Sequence, residues 1–93
     1  MRYFKRNWGE SRGDAHDEWG TSTWYFETAA DLWPTRQMEV YANGTVLQYD
    51  ADHVEDEYGG LSEAALEVDD FAPYAITQAD FERAWTSHVP TNK

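Results

Sequence analysis

The run Thr35-Arg36-Gln37-Met38-Glu39-Val40-Tyr41-Ala42-Asn43-Gly44-Thr45-Val46-Leu47-Gln48-Tyr49-Asp50 decides the fold class. Asn-Gly stands between two stretches whose side chains alternate, and it is the preferred centre of a two-residue type I′ turn, because both central residues must take positive φ. A two-residue turn pairs Ala42 with Thr45, Tyr41 with Val46, Val40 with Leu47, Glu39 with Gln48 and Met38 with Tyr49. One face of the hairpin then gathers Met38, Val40, Ala42, Leu47 and Tyr49. The other holds Gln37, Glu39, Tyr41, Val46, Gln48 and Asp50, and a slip of one residue would mix the two sets.

Before the hairpin, Arg2 to Trp8 alternates Phe4, Arg6 and Trp8 against Tyr3, Lys5 and Asn7, which predicts a first strand. Thr23 to Thr28 is aromatic-rich and bounded by turn formers, which predicts a second. Between them Gly9 to Ser22 is polar and acidic and reads as a long surface loop, a length that is more often functional than a short connection. Trp33-Pro34 stops any helix from running through. After the hairpin, residues 51–60 leave the sheet as an acidic loop ending in Gly59-Gly60. Leu61 to Asp70 suits a helix and a short extended segment equally by propensity. Phe71 to Tyr74 forms an apolar anchor. Thr77 with Asp80 three residues on resembles a capping box and opens a helix from about Gln78 to Ser87. Phe81, Ala84, Trp85 and His88 form its apolar stripe, at the spacing of one helix face. That stripe is expected to close on Met38, Val40 and Leu47. Tyr3, Tyr25 and Tyr41 fall on the opposite, polar side of their strands. The expectation is an α+β fold in one domain, residues 1–93, with a four-stranded antiparallel meander and a C-terminal helix packed on one face.

Arg36-x-Met38-Glu39-Val40-Tyr41-x-Asn43-Gly44, preceded by Tyr3-Phe4-Lys5 and Trp8, and followed by Gly60-Leu61 and Ile76-Thr77-x-x-x-Phe81-x-x-x-Trp85, resembles a family of small bacterial domains of unknown function. The resemblance implies a strand-rich sheet with a C-terminal helix and an extended conformation for Leu61 to Leu66. Some such domains are suspected immunity-type partners of bacterial toxins, and no catalytic motif comes with the family. Arg6 departs from the apolar residue usual at its place.

Charge narrows the function. Eighteen acids against 7 bases leave a net charge of −11. The asymmetry is steep, for Gln37 to Glu82 contains every acid of the second half and no Lys or Arg. A polyanion gains nothing by counterion release on DNA or RNA and is repelled by anionic membrane surfaces, so neither nucleic acid nor membrane is expected as a partner. No apolar run approaches the 18 residues of a membrane span, and Met1 to Trp8 carries Arg2, Lys5 and Arg6 without the apolar stretch of a signal peptide, so the expected address is cytoplasmic. There is no Cys, hence no disulfide, thiolate ligand or thiol nucleophile.

Asp50-x-Asp52 with Glu55, Asp56 and Glu57 invites a calcium reading, but the EF-hand pattern fails: its third ligand position falls on Val54, the turn glycine is missing and the bidentate position falls on Leu61. His16 and His53 lack the convergent partners that zinc needs. The serines stand in no nucleophile context and no phosphate-cradling glycine loop exists. No catalytic, cofactor or metal residue is therefore assigned. The expected function is that of a non-enzymatic acidic binding protein, an immunity-type inhibitor of a basic toxin or nuclease. Its partner would be met by Asp50, Asp52, Glu55, Asp56 and Glu57, with Trp19 and Trp33 as aromatic anchors. A DNA-mimicking inhibitor, and a small enzyme or ligand-binding module, are the alternatives. The first would set carboxylates at phosphate-like spacing along a ridge, the second would show a concave pocket with converging polar groups.

Overall fold

The computed structural model describes residues 1–93. Four strands, β1 (Arg2–Trp8), β2 (Ser22–Thr28), β3 (Pro34–Tyr41) and β4 (Val46–Tyr49), form one antiparallel sheet in the order β1-β2-β3-β4. A two-stranded ribbon of β5 (Glu55–Asp56) and β6 (Gly59–Gly60) follows. A short helix α1 (Val68–Phe71), a 3₁₀ turn over Ala72–Tyr74 and the helix α2 (Gln78–Ser87) complete an α+β chain. No helix is long and apolar enough to cross a membrane.

The hairpin forms where the sequence places it, but with a different loop. Val40 pairs with Val46, Glu39 with Leu47, Met38 with Gln48 and Gln37 with Tyr49, one residue away from the register a two-residue turn would set. Gly44 N–H donates to Tyr41 C=O and Tyr41 N–H to Thr45 C=O, so Ala42, Asn43 and Gly44 form a three-residue loop. Gly44 alone takes positive φ, at +94°; Asn43 does not, and its side chain instead accepts from Thr45 N–H. This is the type I turn closed by a left-handed glycine that serves three-residue hairpins. Gly44→Val puts a β-branched residue into that conformation in otherwise open space. A stability loss above about 1 kcal/mol is expected from the backbone alone, read as a lower urea midpoint; an unchanged midpoint would contradict the loop.

The shifted register redistributes the faces. Tyr3, Lys5, Tyr25, Glu27, Arg36, Met38, Val40, Val46 and Gln48 share one side, and Phe4, Arg6, Trp8, Trp24, Phe26, Gln37, Glu39, Tyr41, Leu47 and Tyr49 the other. Leu47 therefore does not lie beneath the helix with Met38, and Tyr3 and Tyr25 are not on a solvent face. The apolar and polar sets mix because both faces are covered, so neither has to be purely apolar.

The first face carries α2. Thr77 caps it, accepting from Asp80 N–H through Oγ1 at 3.1 Å, and Pro90 stands just beyond its end. Phe81 is fully buried, its ring 5.3 Å from Tyr3 and 5.8 Å from Trp85. Arg36 joins sheet to helix, with Glu27 at 2.6 Å and Glu82 at 2.7 Å, while its guanidinium lies over the rings of Phe81 and Trp85. Buried Gln48 donates to the carbonyl of Trp85. Beyond the helix the tail covers the outer edge of β4: Thr91 N–H bonds Val46 C=O, and the Asn92 amide both accepts from Gln48 N–H and donates to Gln48 C=O, acting as one more strand residue. A strand edge satisfied in this way offers no template for association.

The second face is covered in pieces. Phe71 packs edge-on against Phe4 and Phe26, with Leu32 and Leu66 beside them, and the chain then crosses the β1 edge, where Ile76 N–H bonds Tyr3 C=O, to bring α2 to the other side. Trp19, Tyr58 and Leu61 cover Tyr41, Leu47 and Tyr49. Leu61 to Leu66 contains neither helix nor strand, and the last residues of the ambiguous stretch enter α1. Where the loop after β1 returns to the sheet, Gly20 has φ +83° and a Cβ there would sit 3.1 Å from that of Ala42, which requires glycine.

Candidate functional site

Two features stand out: the distribution of carboxylates, and a groove on the second face. Glu10, Asp17, Glu18, Asp31, Asp52, Glu55, Glu57, Glu63, Glu67, Asp69 and Asp70 are exposed and meet no basic side chain. The cations are committed elsewhere. Arg12, Arg36, Arg83 and Lys93 are in ion pairs, and Arg2, Lys5 and Arg6, all on β1, lie over the rings of Phe4, Tyr25 and Trp8. The surface field is therefore negative and locally uncompensated.

Of the residues the sequence singled out, Asp52, Glu55 and Glu57 are exposed together on the loop and ribbon after β4. Asp50 is partly covered: it accepts from Asp52 and His53 N–H and pairs with Lys93 at 3.0 Å. Asp56 is turned inward. It accepts from Tyr49 Oη, Tyr58 N–H and Asn92 Nδ2 and meets His53 Nε2 at 2.8 Å. Burial opposes its charge, but the bonds from His53, Asn92, Tyr58 and Tyr49 outweigh that and lower its pKa to about 2. It ties β4, the ribbon and the C-terminal tail together. Trp19 is an anchor: its indole lies against Tyr41, Tyr58 and His16 and holds the Gly9 to Ser22 segment on the sheet. Trp33 is half exposed in the β2–β3 connection.

The groove, of about 570 Å³, lies on the part of the second face that the coverings leave open. Its floor is a row on β3, Gln37, Glu39 and Tyr41, each paired across to β2 with Phe26, Trp24 and Ser22. Glu39 is 4% exposed and accepts from Tyr41 Oη at 2.5 Å and Gln37 Nε2 at 2.9 Å. Burial pushes its carboxyl above the usual carboxylate range, against those two bonds and the nearby charge of Arg12. Arg12 is contributed by the loop after β1. Its Nε donates to Asp14 at 3.0 Å and its Nη2 to Tyr58 C=O at 2.6 Å; Nη1 is buried without an acceptor, the guanidinium lying against the rings of Trp19 and Tyr41. Trp8 and Trp24 wall the open side, and the Trp24 indole N–H is held by Ser22 Oγ at 2.8 Å. A smaller apolar hollow of about 240 Å³, walled by Arg6, Trp8, Trp24, Phe26 and Phe71, continues it.

Sequence reasoning missed this groove. Gln37, Glu39 and Tyr41 look like the solvent side of a hairpin, and the one available signal was an unusually long aromatic-bearing loop, Gly9 to Ser22, with no assigned place. No group of three or more His, Asp or Glu converges as a metal site. No family model matches the chain, and no curated protein or solved structure matches it at a significant level.

Proposed function

We propose that this chain is a non-catalytic acidic binding protein that docks a basic protein, of the toxin or nuclease kind, and neutralises it by occupying its surface in the cytoplasm of a bacterial cell. The observation that carries the reading is the set of exposed carboxylates without cationic partners, on a protein of net charge −11. Such a field raises the rate of encounter with a basic surface by about 10- to 1000-fold at low salt and disfavours like-charged competitors. The carboxylates divide among the 10–18 loop, the 52–57 corner and the 63–70 segment, which suits general charge complementarity better than a single phosphate-like ridge.

The test uses Asp52→Lys, Glu55→Lys and Glu57→Lys together, since these side chains are exposed and carry no ion pair. Asp56 is left intact because it is a structural node. With the protein encoded beside this chain, or with a small basic nuclease as probe, association of the parent slows between about 50 and 200 mM salt as screening shortens the reach of charge. The triple variant is expected to associate about 10-fold more slowly at the lower salt and to lose most of the salt dependence, with an unchanged melting temperature. Equal rates and equal salt slopes for parent and variant would overturn the reading.

The groove favours a second reading, a small-ligand module, because it is concave and brings a buried carboxyl, an arginine and two tryptophans together. Saturable binding of a neutral small molecule that displaces no basic partner would support it.

A further inference from the structure

We propose that the groove on the second sheet face receives an arginine side chain of the basic partner, its guanidinium seated on the tryptophan wall and directed at the carboxyls of Glu10 and Glu39. The inference rests on the reading of the chain as a binder of basic proteins and adds to it the point of engagement and the residue type.

Three observations support it. The first is how this protein holds its own guanidinium groups. Arg12 lies over Trp19 and Tyr41 with Asp14 at its edge; Arg36 lies over Phe81 and Trp85 with Glu27 and Glu82 at its edge. Ring faces with a carboxylate at the rim are a matched environment for a planar, weakly hydrated cation. The groove offers a similar combination with room for a further cation: Trp24, and Trp8, which stays 45% exposed although Arg6 lies over its ring, with Glu10 exposed at the mouth and Glu39 on the floor beside Trp24, its cross-strand neighbour. A carboxyl that already accepts two hydrogen bonds still has lone pairs for more.

The second is charge. Glu10, Asp14 and Glu39 line the groove against one cation, Arg12, whose Nε and Nη2 are spent on Asp14 and Tyr58. Arg6, the nearest other cation, lies over the ring of Trp8 as well as those of Phe71 and Tyr74 and lines the adjoining hollow, so three carboxyls stand against two cations. An incoming cation thus meets an excess of negative charge inside a protein already negative outside. The third is size and wall chemistry. A groove of about 570 Å³ holds a long side chain with its flanking backbone, and aromatic walls suit the apolar stem of arginine as well as its head. Lysine would fit less well, because its ammonium is compact, strongly hydrated and unable to stack.

The full chain, labelled with nitrogen-15, is titrated at low salt with the capped tripeptide acetyl-Gly-Arg-Gly-amide and with its lysine and citrulline counterparts. Citrulline keeps the shape of arginine without the charge. The arginine peptide is expected to shift the indole N–H resonances of Trp8 and Trp24 saturably, with a Kd in the millimolar range expected of one anchoring side chain, roughly 1 mM. The lysine peptide should bind about 3- to 10-fold more weakly and the citrulline peptide should leave both indoles unmoved. Glu10→Gln, a change at an exposed loop position, should weaken the arginine peptide about 3-fold; Glu39→Gln, which keeps the shape of the side chain on the floor, should weaken it further while Tyr41 and Gln37 retain a hydrogen-bonding neighbour.

Equal binding of arginine and citrulline peptides, or arginine-induced shifts confined to the amides of Asp52 to Glu57 with still indoles, would overturn the groove assignment. The latter result would leave the acidic docking surface standing. Saturable indole shifts by the arginine peptide, in a protein whose triple lysine variant keeps the parent's association rates, would uphold the groove and remove the long-range electrostatic reading.

Discussion

Phe81→Ala lowers the stability of this protein by about 3–5 kcal/mol, the expected cost of emptying a fully buried aromatic site. Phe81 is the one residue of α2 with no exposed surface, and it is the fully buried apolar contact of the helix with the sheet. Its ring rests on Tyr3 from β1 and is stacked on Trp85 one turn later, while the guanidinium of Arg36, held by Glu27 and Glu82, closes it from above at 4.8 Å. Removing the ring deprives Arg36 of its stacking surface as well as leaving a cavity, so the site cannot simply collapse. A domain of this size has about 5–15 kcal/mol to lose. Urea unfolding should therefore show a midpoint near the edge of the folded baseline, and Phe81→Leu, which keeps most of the volume, should fall less than halfway as far. A loss below about 1 kcal/mol for the alanine variant would mean that α2 is not part of the core.

Asp56→Ala is expected to cost about 3–4 kcal/mol by a different route. The carboxylate accepts from Tyr49 Oη, Tyr58 N–H and Asn92 Nδ2 and pairs with His53, and a hydrogen bond to a charged group contributes a net of about 1.5–3 kcal/mol, with bonds in one network not adding in full. The larger part of the loss comes from Tyr49, which is fully buried, so that its hydroxyl is left without an acceptor. The same node has a pH signature. Its folded pKa of about 2 lies below the ordinary value of 3.8, so the carboxylate's contribution is complete above pH 3.8 and is lost as pH falls through about 2. Stability of the parent should decline over that interval more steeply than that of Asp56→Asn, which cannot ionise. Parallel acid profiles for the two would show that Asp56 is not the group responsible. Because the tail is bonded to this node, loss of the Asn92 amide contacts with Gln48 should accompany the change, visible as faster amide exchange along β4.

Much of the architecture follows from local rules and was legible. Alternation over Arg2 to Trp8, over the aromatic run before Thr28 and on both sides of Asn43-Gly44 marks four strands, because a half-extended chain puts successive side chains on opposite faces whatever packs against them. The α2 boundaries follow from Thr77 and its bond to Asp80 N–H at one end, and its buried face from the spacing of Phe81, Ala84, Trp85 and His88. Short connections between successive strands make the meander the natural topology.

Register and covering were decided by tertiary structure. Asn-Gly is compatible with a two-residue turn of positive φ at both positions and with a three-residue loop that needs it only at the glycine, and the difference in local energy between them is small. What selects the latter is the burial of Leu47 and Tyr49 under Trp19, from the loop after β1, and under Tyr58 and Leu61, from the ribbon that follows β4. Once the loop after β1 lies across β3, the row of Gln37, Glu39 and Tyr41 ceases to be a solvent face and becomes the floor of a groove, its polar atoms satisfied by one another and by Gly60. The same holds for the acids. Their number is plain in the composition, but that Asp56 is an inward-turned, partly covered acceptor while Glu55 and Glu57 on either side of it face water depends on where Tyr49 and Asn92 arrive, and such pairings leave no mark on the local pattern of residues.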